Sequence, residues 1–469
     1  MGEMANGTDM AIFDGLVDDD RRRVSLRTCV DEAVYQLELD RIFRRAWLFL
    51  GHESEIPEPG NFIARSMGED PVILTRDGEG EVHVLLNVCR HRGAKVCRVD
   101  QGSTRNFECP YHGWTYGIGG QLVGVPVQQA MYDERFERQE YGLREARVEI
   151  HKGLIFATWD RDRPPLDDFL GGWGRLLDMM YKRTDAGIEV VGPPQRWVIR
   201  CNWKLPSEQF SGDAYHVGSA HRSLYDVGFG PSVRQYNDHP TWDVFARFAK
   251  DYDEVVARDG RLYPPGLDAT LFEQVKRNLD PDQVELLRVG LGPGAHMVFP
   301  NFAALYIPQP SLDGKLSASM TFRTFNPRGV DLMEITSWTL AERDAPAEVK
   351  QAIQRTTAQN LGAGGVIEQD DSEMWVSIQQ NLRGAAAASE FMDYSSSKTG
   401  TDKQGWSDDR QWDFWQRWLG YMTGGARGVH PAEGYAVIDR PAGTGIRVYV
   451  SDRAEGDGVE PAASVSRSA

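Results

Sequence analysis

Two short segments of the chain each combine a cysteine with a histidine. Cys89 and His91 stand in the run CRHRGAKVC, Cys109 and His112 stand in CPYHGWTYG, and seventeen residues separate His91 from Cys109. Thiolate and imidazole groups together bind either a tetrahedral zinc ion or a [2Fe–2S] cluster. Structural zinc sites usually take two cysteines from one segment and two histidines from the other. One ligand of each kind per segment therefore favours a cluster with two cysteines on one iron and two histidines on the other.

A second set of candidate ligands lies in the run EQFSGDAYHVGSAH. His216 and His221 are five positions apart, so an ideal helix would turn their side chains away from each other. We expect Gly218 to unwind the segment between them. Two histidines and one carboxylate form the facial triad that holds non-haem iron and leaves positions open for oxygen and substrate. A carboxylate is available later in the chain, in the run GVIEQDD that ends at Asp371.

These runs resemble a known family. CRHRGAKVC and CPYHGWTYG resemble the Rieske domains of ring-hydroxylating oxygenases. EQFSGDAYHVGSAH and GVIEQDD are similar to the catalytic iron site of the naphthalene and biphenyl dioxygenase branch. The resemblance covers roughly residues 30–450. By this resemblance the chain is identified as the large, catalytic (α) subunit of a Rieske-type aromatic-ring-hydroxylating dioxygenase.

The resemblance implies two iron cofactors and the residues that hold them. Cys89 and Cys109 would hold one iron of a [2Fe–2S] cluster, and His91 and His112 would hold the other. A mononuclear Fe(2+) would be held by His216, His221 and Asp371. Cys97 has no ligand role in the pattern, and we expect it to be a buried thiol.

The resemblance also implies residues that serve these metals without binding them. Asp213 would be a bridging carboxylate that links His216 to His112 of a neighbouring subunit. The substrate cavity would be lined by Gln209, Phe210, Leu361 and Ile367. Family members often carry an aromatic residue at the last two positions, so the smaller side chains here indicate a different or roomier cavity.

The reaction and the partners follow from the same resemblance. Electrons from NADH would pass through a reductase, and usually a ferredoxin, into the cluster of one subunit and across Asp213 to the iron of the next. Both atoms of O₂ would then add to an aromatic ring as a cis-dihydrodiol. The substrate would be an aromatic hydrocarbon or a phthalate-like aromatic acid. The large subunits would form a trimer, alone or with a small β subunit as α3β3. Three alternatives stay open, namely a Rieske monooxygenase or demethylase, a pure Rieske electron-transfer protein, and a zinc-dependent structural module.

The pattern of elements predicts an α+β fold with a small antiparallel β domain and a larger domain whose antiparallel sheet is flanked by helices. Apolar spacing predicts a helix over 28–45, with Thr28 as its N-cap. Short β-type runs between Gly, Pro, Asp and Glu fill the stretch from Trp47 to about Thr158. Further on, paired strands are predicted at 310–326 and 333–342, and helices at 346–360 and 409–422. The predicted organisation is a leader and helix of the catalytic domain (1–45), a Rieske domain (46–165), the catalytic domain (166–450) and a disordered tail (451–469).

Composition narrows the class of protein further. A formal net charge of −17 argues against nucleic-acid binding. Five cysteines, an odd number, favour a reducing compartment such as the cytoplasm over a disulfide scaffold. No run approaches the roughly 18 apolar residues of a membrane helix, and the N-terminus lacks the basic and apolar regions of a secretory signal.

Overall fold

The computed structural model describes residues 11–213, 215–226, 248–259, 269–281, 283–284, 295–311, 313–396, 408–424, 435–438 and 448–451. The chain divides into two compact units. The smaller unit is Leu39–Leu166, and the larger unit combines Met1–Glu38 with Asp167–Ala469. The start of the expected leader, residues 1–10, and the expected disordered tail beyond Ser451 lie outside the described residues.

Helices and antiparallel strands are mixed along the chain, which confirms the predicted α+β class. The α-helices span Glu32–Glu38, Gln128–Met131, Leu166–Leu170, Gly172–Tyr181, Lys204–Gln209, Val217–Ala220, Arg222–Asp226, Tyr252–Asp259, Ala269–Asn278, Ala347–Leu361, Val366–Asn381, Ala385–Ala388 and Asp409–Thr423. The strands are β1 (Val17–Asp18), β2 (Arg23–Ser25), β3 (Leu48–His52), β4 (Asn61–Met67), β5 (Asp70–Arg76), β6 (Val82–Leu86), β7 (Gln101–Ser103), β8 (Asn106–Glu108), β9 (Thr115–Gly117), β10 (Leu122–Gly124), β11 (Arg147–His151), β12 (Leu154–Thr158), β13 (Ile188–Val190), β14 (Gln195–Ile199), β15 (Ala295–Val298), β16 (Phe302–Pro310), β17 (Leu316–Pro327), β18 (Met333–Glu342), β19 (Phe391–Asp393), β20 (Tyr435–Ile438) and β21 (Val448–Ser451).

The smaller unit is built from antiparallel sheets joined by tight turns. Its strands pair in the orders β6-β5-β4-β7, β10-β9-β8 and β11-β12-β3. The β4–β5 hairpin turns at Gly68, whose φ of +59° suits glycine and whose added Cβ would lie 2.9 Å from Phe43 Cβ. The hydrophobic core of this unit contains the side chains of Cys89, Cys97 and Cys109. The predicted burial of the Cys97 thiol is therefore confirmed.

His83 of β6 connects the stability of the smaller unit to pH. Its Nδ1 lies 2.6 Å from Glu145 Oε1, and its Nε2 lies 3.0 Å from Asp77 Oδ2. Burial works to lower the pKa of His83, but the two carboxylates outweigh burial and raise this pKa above its usual value. A group with a raised pKa in the fold stabilises it fully below the unfolded pKa of about 6.5, and this stabilisation is lost as pH rises through the folded pKa.

We therefore expect the thermal unfolding temperature of the smaller unit to fall as pH rises above about 6.5. His83→Gln should remove this part of the pH dependence, at a cost below about 1 kcal/mol at low pH because the ion pairs lie near the surface. The measurement is thermal unfolding between about pH 6 and pH 9, followed by the visible absorbance of the bound cluster. Asp77→Asn serves as the control and should remove a share of the same slope. An unchanged slope in His83→Gln would contradict the assignment.

The larger unit is organised around an antiparallel sheet of order β13-β18-β17-β16-β15, with β14 also paired to β18. Every residue of β17 is buried, which means that both faces of this strand are covered. The helix Ala347–Leu361 packs against β17 and β18. The helices predicted at 346–360 and 409–422 are confirmed, and the predicted strand pair corresponds to β17 and β18. A turn containing Gly362, Gly364 and Gly365 leads from Ala347–Leu361 into the next helix, Val366–Asn381.

The N-terminal helix differs from its prediction. Three short helices replace the single helix over 28–45, a 3₁₀ turn at Leu26–Cys29, the α-helix Glu32–Glu38 and a π-helical turn at Leu39–Phe43. The predicted N-cap was wrong, because Thr28 Oγ1 donates to Ser25 O. Asp31 caps the α-helix instead, since its Oδ1 accepts from the amides of Ala33 and Val34. Within the described residues, no helix combines the length and the apolar character needed to cross a bilayer.

Candidate cluster site and candidate metal centre

The two cysteine segments of the smaller unit form loops with the same hydrogen-bond pattern. In each loop the cysteine amide donates to the carbonyl of the residue five positions later, and a glycine four positions later donates back to the cysteine carbonyl. These bonds are Cys89 N to Ala94 O, Gly93 N to Cys89 O, Cys109 N to Trp114 O and Gly113 N to Cys109 O. Gly93 and Gly113 have φ values of +75° and +72°, so each loop closes through a left-handed glycine.

The side chains of the four predicted cluster ligands converge as the loops require. Cys89 and Cys109 are 3% and 1% exposed, whereas His91 and His112 are only half-buried. The two imidazole rings lie 4.5 Å apart between centroids. His91 Nδ1 is buried and has no hydrogen-bond partner among the described residues. Two buried thiols, two outward imidazoles and an orphaned ring nitrogen fit a [2Fe–2S] cluster of the Rieske type.

Tyr116 is a residue at this site that sequence reasoning missed. Its hydroxyl accepts from the amide of Arg90 at 3.0 Å and lies 3.3 Å from Cys89 Sγ. Burial, followed by the contact with Cys89, raises the pKa of Tyr116, so the phenol keeps its proton. With the amide as its donor, the phenol is free to donate to Cys89 Sγ, and hydrogen bonds to cluster sulfurs tune the reduction potential. The run CPYHGWTYG contained Tyr116, but its spacing alone did not show which way the hydroxyl points.

A buried ion pair positions the helix that leads into the second site, Lys204–Gln209 (the Gln209 helix). Lys204 Nζ lies 2.7 Å from Glu38 Oε1, and both side chains are fully buried. The indole N–H groups of Trp203 and Trp418 also donate to Glu38, at 2.9 and 2.7 Å. A buried carboxylate with one cation and two indole donors is fully satisfied, so it holds the start of this helix firmly.

The two candidate iron histidines lie at the ends of a very short helix. Val217–Ala220 forms one helical turn, His216 precedes it and His221 follows it. Gly218 is helical, so the prediction that it unwinds the segment was wrong. The helix instead ends at His221, whose φ of −91° and ψ of +26° leave the helical region. This break redirects His221, and the two imidazole rings come within 5.2 Å of each other.

Asp371 meets both histidines from the helix Val366–Asn381 (the Asp371 helix). Its Oδ1 lies 3.4 Å from His216 Nε2 and 3.4 Å from His221 Nε2. One ligand atom from each of the three residues can be chosen so that all lie within 4.8 Å of one another. Two atoms that are each about 2.1 Å from a metal ion are about 3.0–3.4 Å apart at angles of about 90–110°. The set therefore fits one first-row metal ion.

Each imidazole has a second carboxylate behind it. Asp213 Oδ2 lies 3.3 Å from His216 Nδ1, and Asp370 Oδ2 lies 3.4 Å from His221 Nδ1. Such carboxylates orient metal-binding imidazoles and set their tautomer. Asp213 Oδ1 also accepts from the amides of Tyr215 and His216, which holds the loop that presents His216.

The electrostatics of the three candidate ligands suit a cation. Burial works to lower the pKa of His216, but hydrogen bonds to Asp213 and Asp371 outweigh it and raise this pKa to about 10. Burial is the main cause that lowers the pKa of His221. Burial alone would raise the pKa of Asp371, yet the hydrogen bond to His216 and the charges of both histidines lower it overall. A metal ion held by these residues would take the place of the His216 proton, because ligands bind in their deprotonated form.

Gln209, predicted to line the cavity, contacts two of the candidate iron ligands directly. Its Nε2 donates to Asp371 Oδ1 at 2.8 Å and lies 3.3 Å from His216 Nε2, while its Oε1 accepts from Trp375 Nε1 at 2.6 Å. Trp375, one turn after Asp371, is a second residue that sequence reasoning missed. The indole of Trp375 thus orients the amide of Gln209, and this amide in turn fixes the carboxylate of Asp371.

The other three predicted cavity residues, Phe210, Leu361 and Ile367, are all buried. Phe210 follows Gln209 and packs its ring 5.2 Å from that of Phe325. Leu361 is the last residue of the helix Ala347–Leu361, and Ile367 is the second residue of the Asp371 helix. Both side chains are buried. The two lie on either side of the glycine turn that delivers Asp371. Their place as the cavity wall stays a prediction.

The smaller unit has two loops that each present one thiol and one imidazole, and the larger unit brings two histidines and a carboxylate together. These two sites define a class of protein, the Rieske-type non-haem iron oxygenases. The profile of Rieske [2Fe-2S] domains matches residues 46–141, and that of the ring-hydroxylating α subunit catalytic domain matches residues 175–424. The chain belongs to the α subunits of ring-hydroxylating dioxygenases. It is an oxidoreductase that dihydroxylates an aromatic ring with O₂, and its cofactors are one [2Fe–2S] cluster and one mononuclear iron.

Named relatives extend over most of the chain. A biphenyl dioxygenase subunit alpha from Metapseudomonas furukawaii is 38% identical over 82% of this chain and 85% of its own length. An N,N-dimethyl phenylurea N-demethylase subunit alpha from a Sphingobium species is 32% identical over 92% of this chain and 99% of its own. The crystal structure of a Rhodococcus naphthalene 1,2-dioxygenase bound to indole superposes with a TM-score of 0.77 at 34% identity, over 90% of this chain and all of the other.

Proposed function

We propose that Cys89, His91, Cys109 and His112 hold the cluster, and that His216, His221 and Asp371 hold the Fe(2+). The buried thiols and the orphaned His91 Nδ1 support the first assignment, and the 3.4 Å separations around Asp371 Oδ1 support the second. Residues 46–165 then form the electron-accepting domain, and residues 166–450 with 1–45 form the oxygenating domain. The cluster supplies electrons and the mononuclear iron supplies the activation of O₂.

The electron route crosses between subunits in this proposal. Asp213 contacts His216, and 26% of its side chain is exposed. The Asp213 carboxylate can therefore also accept a hydrogen bond from an imidazole of another chain. That imidazole is His112 of a neighbouring subunit in a trimer. A small β subunit completing α3β3, a ferredoxin and an NADH-dependent reductase are the further partners. The word alpha in the names of the relatives supports a second kind of subunit.

The substrate is a neutral aromatic hydrocarbon, and one observation carries this proposal. Among the described residues of the larger unit, each buried cation is already neutralised by a buried carboxylate. The pairs are Arg183 with Glu342, Lys204 with Glu38 and Arg323 with Glu368. A phthalate-like acid would need a cation of its own in a buried cavity, because an unpaired buried carboxylate is costly. The apolar candidates Phe210, Leu361 and Ile367 suit a hydrocarbon ring instead.

The test compares products from three kinds of substrate, supplied to the reconstituted system of oxygenase, ferredoxin, reductase and NADH. Biphenyl or naphthalene should give a cis-dihydrodiol with both oxygens from ¹⁸O₂, while phthalate should give no product. N-demethylation of an N,N-dimethyl phenylurea is the second candidate, because a relative of that name matches over nearly its whole length. Formaldehyde from the urea without a diol from either hydrocarbon would overturn the hydrocarbon proposal. Turnover of phthalate would overturn the charge argument.

A further inference from the structure

Arg323 lies at the centre of β17 and is one of the most deeply buried cations of the larger unit. Its side chain and that of its partner Glu368 are both fully buried. Burying a guanidinium is costly unless its donors and its charge are satisfied, so its contacts are expected to be specific. Those contacts reach three separate parts of the candidate active site.

The guanidinium joins the two ends of the glycine turn. One amino group donates to Glu368 Oε2 in the Asp371 helix, and the other donates to the carbonyl of Leu361, the last residue of the preceding helix. The turn between them is tightly closed, because an added Cβ at Gly365 would lie 2.5 Å from the backbone of Asn360. The planar fork of arginine therefore fixes where one helix stops and where the next begins.

Arg323 is also connected to Asp371, the candidate iron-binding carboxylate, and to Phe210, a candidate cavity residue. Glu368 precedes Asp371 by three residues, so their side chains share one face of the Asp371 helix. The guanidinium carbon lies 5.6 Å from the ring centroid of Phe210, the residue next to Gln209. One side chain thus holds Asp371 through its helix, Leu361 through its carbonyl and Phe210 through its ring.

We propose that Arg323 is a positioning residue that keeps the candidate substrate wall in register with the iron-binding carboxylate. The inference rests on the proposed function, because it takes Asp371 as an iron ligand and Leu361 and Phe210 as the cavity wall. Arg323 is not among the candidate iron ligands, and it reaches the site through Glu368 and Leu361. It acts by setting the distance between Asp371 and the aromatic ring to be oxidised, a distance on which the yield of product depends.

A matched buried pair separates positioning from simple stability. Arg183 pairs with Glu342 at 2.5 Å, their side chains are 1% and 0% exposed, and Arg183 also lies over an aromatic ring, that of Tyr306. No described contact joins this pair to the candidate ligands or cavity residues. Arg183→Lys therefore measures how far the loss of a buried arginine contact lowers the stability of the fold. Arg323→Lys should show the same loss of stability together with any effect on the candidate iron site.

The experiment compares Arg323→Lys with Arg183→Lys in the full-length protein. Both should lower the unfolding temperature to a similar extent, since lysine cannot reproduce the two-pronged contact. Only Arg323→Lys should weaken Fe(2+) binding about 10-fold in equilibrium dialysis and alter the EPR signal after nitric oxide is added as a probe. It should also cut product formed per O₂ consumed by about 10-fold, with the balance released as hydrogen peroxide.

A milder variant keeps the inference testable if Arg323→Lys does not fold. Glu368→Gln preserves the size and one acceptor of the partner, and Glu342→Gln is its control. Equal Fe(2+) affinity, equal EPR signals and equal product yields in the two members of a pair would overturn the proposal and leave Arg323 a core residue. Failure of the proposed function shows itself differently, as a wild-type protein that binds no mononuclear iron at all.

Discussion

Replacing His216 with alanine should remove the mononuclear iron from this protein and leave its cluster intact. The Nε2 atoms of His216 and His221 both lie 3.4 Å from Asp371 Oδ1. The loss of one imidazole leaves only two of the three proposed protein ligands. Loss of a supporting contact alone typically weakens a metal about 10–100-fold, so loss of a ligand should exceed about 100-fold. Dihydrodiol formation should fall by at least the same factor. The proposed cluster ligands all lie in the smaller unit, so they are untouched.

Iron and acid-labile sulfide per chain are the measurement. The anaerobically purified wild type should contain about three irons and about two sulfides, with a Rieske EPR signal on reduction. His216→Ala should contain about two of each and keep that signal. Ser219→Ala is the control, because Ser219 lies in the same helical turn and its hydroxyl donates to the carbonyl of His216. Three irons in His216→Ala would place the metal elsewhere, and two irons in the wild type would leave an electron carrier.

Replacing Asp213 with asparagine should stop turnover while both metals stay in place. Asparagine retains an oxygen for the amides of Tyr215 and His216, so the loop should hold its shape. The substitution removes the negative charge at the oxygen that faces His216 Nδ1 from 3.3 Å. In the proposed trimer the Asp213 carboxylate also accepts a hydrogen bond from His112 of a neighbouring subunit. Electron transfer to the iron depends on that contact. Product formation should fall about 100-fold, the upper range for contacts behind a metal ligand.

The rate of cluster oxidation distinguishes this link from a general fault at the iron. The reduced cluster is mixed with O₂ and substrate, and its visible absorbance is followed in time. Asp370→Asn is the matched control, because Asp370 stands behind His221 at 3.4 Å much as Asp213 stands behind His216. Asp213→Asn should slow cluster oxidation about 100-fold, whereas Asp370→Asn at matched iron content should change it by less than about 3-fold. Equal slowing in both variants would refute a route through Asp213.

The sequence was sufficient wherever the chemistry depends on neighbours along the chain. Cys89 and His91 share one loop and Cys109 and His112 another, so their spacing alone indicated the kind of cluster. The helix Asp409–Thr423 followed from its apolar spacing for the same reason. Local patterns were less reliable at boundaries. The prediction of one helix over 28–45 failed because apolar spacing does not distinguish 3₁₀, α and π turns, and capping decided the true start at Asp31.

The proposed third iron ligand, Asp371, shows what the family resemblance added to the sequence and what it left open. Asp371 was named because GVIEQDD matches the family, since an acidic pair is by itself an ordinary feature of a helix. Nothing in the spacing showed that the helix Val217–Ala220 ends at His221 rather than unwinding at Gly218. That break aims His221 at Asp371.

The sequence by itself indicated the two cysteine–histidine pairs and the histidine pair as candidate ligands, because each pair stands within a few contiguous residues. Only the tertiary structure decided the partners of those ligands. Gln209 joins Asp371 to Trp375, Tyr116 points its hydroxyl at Cys89, and Arg323 connects Leu361 with Glu368. Such contacts arise when β-strands and helices far apart in the chain bury polar groups together. Each buried donor must then find an acceptor in three dimensions, a requirement that no local pattern records.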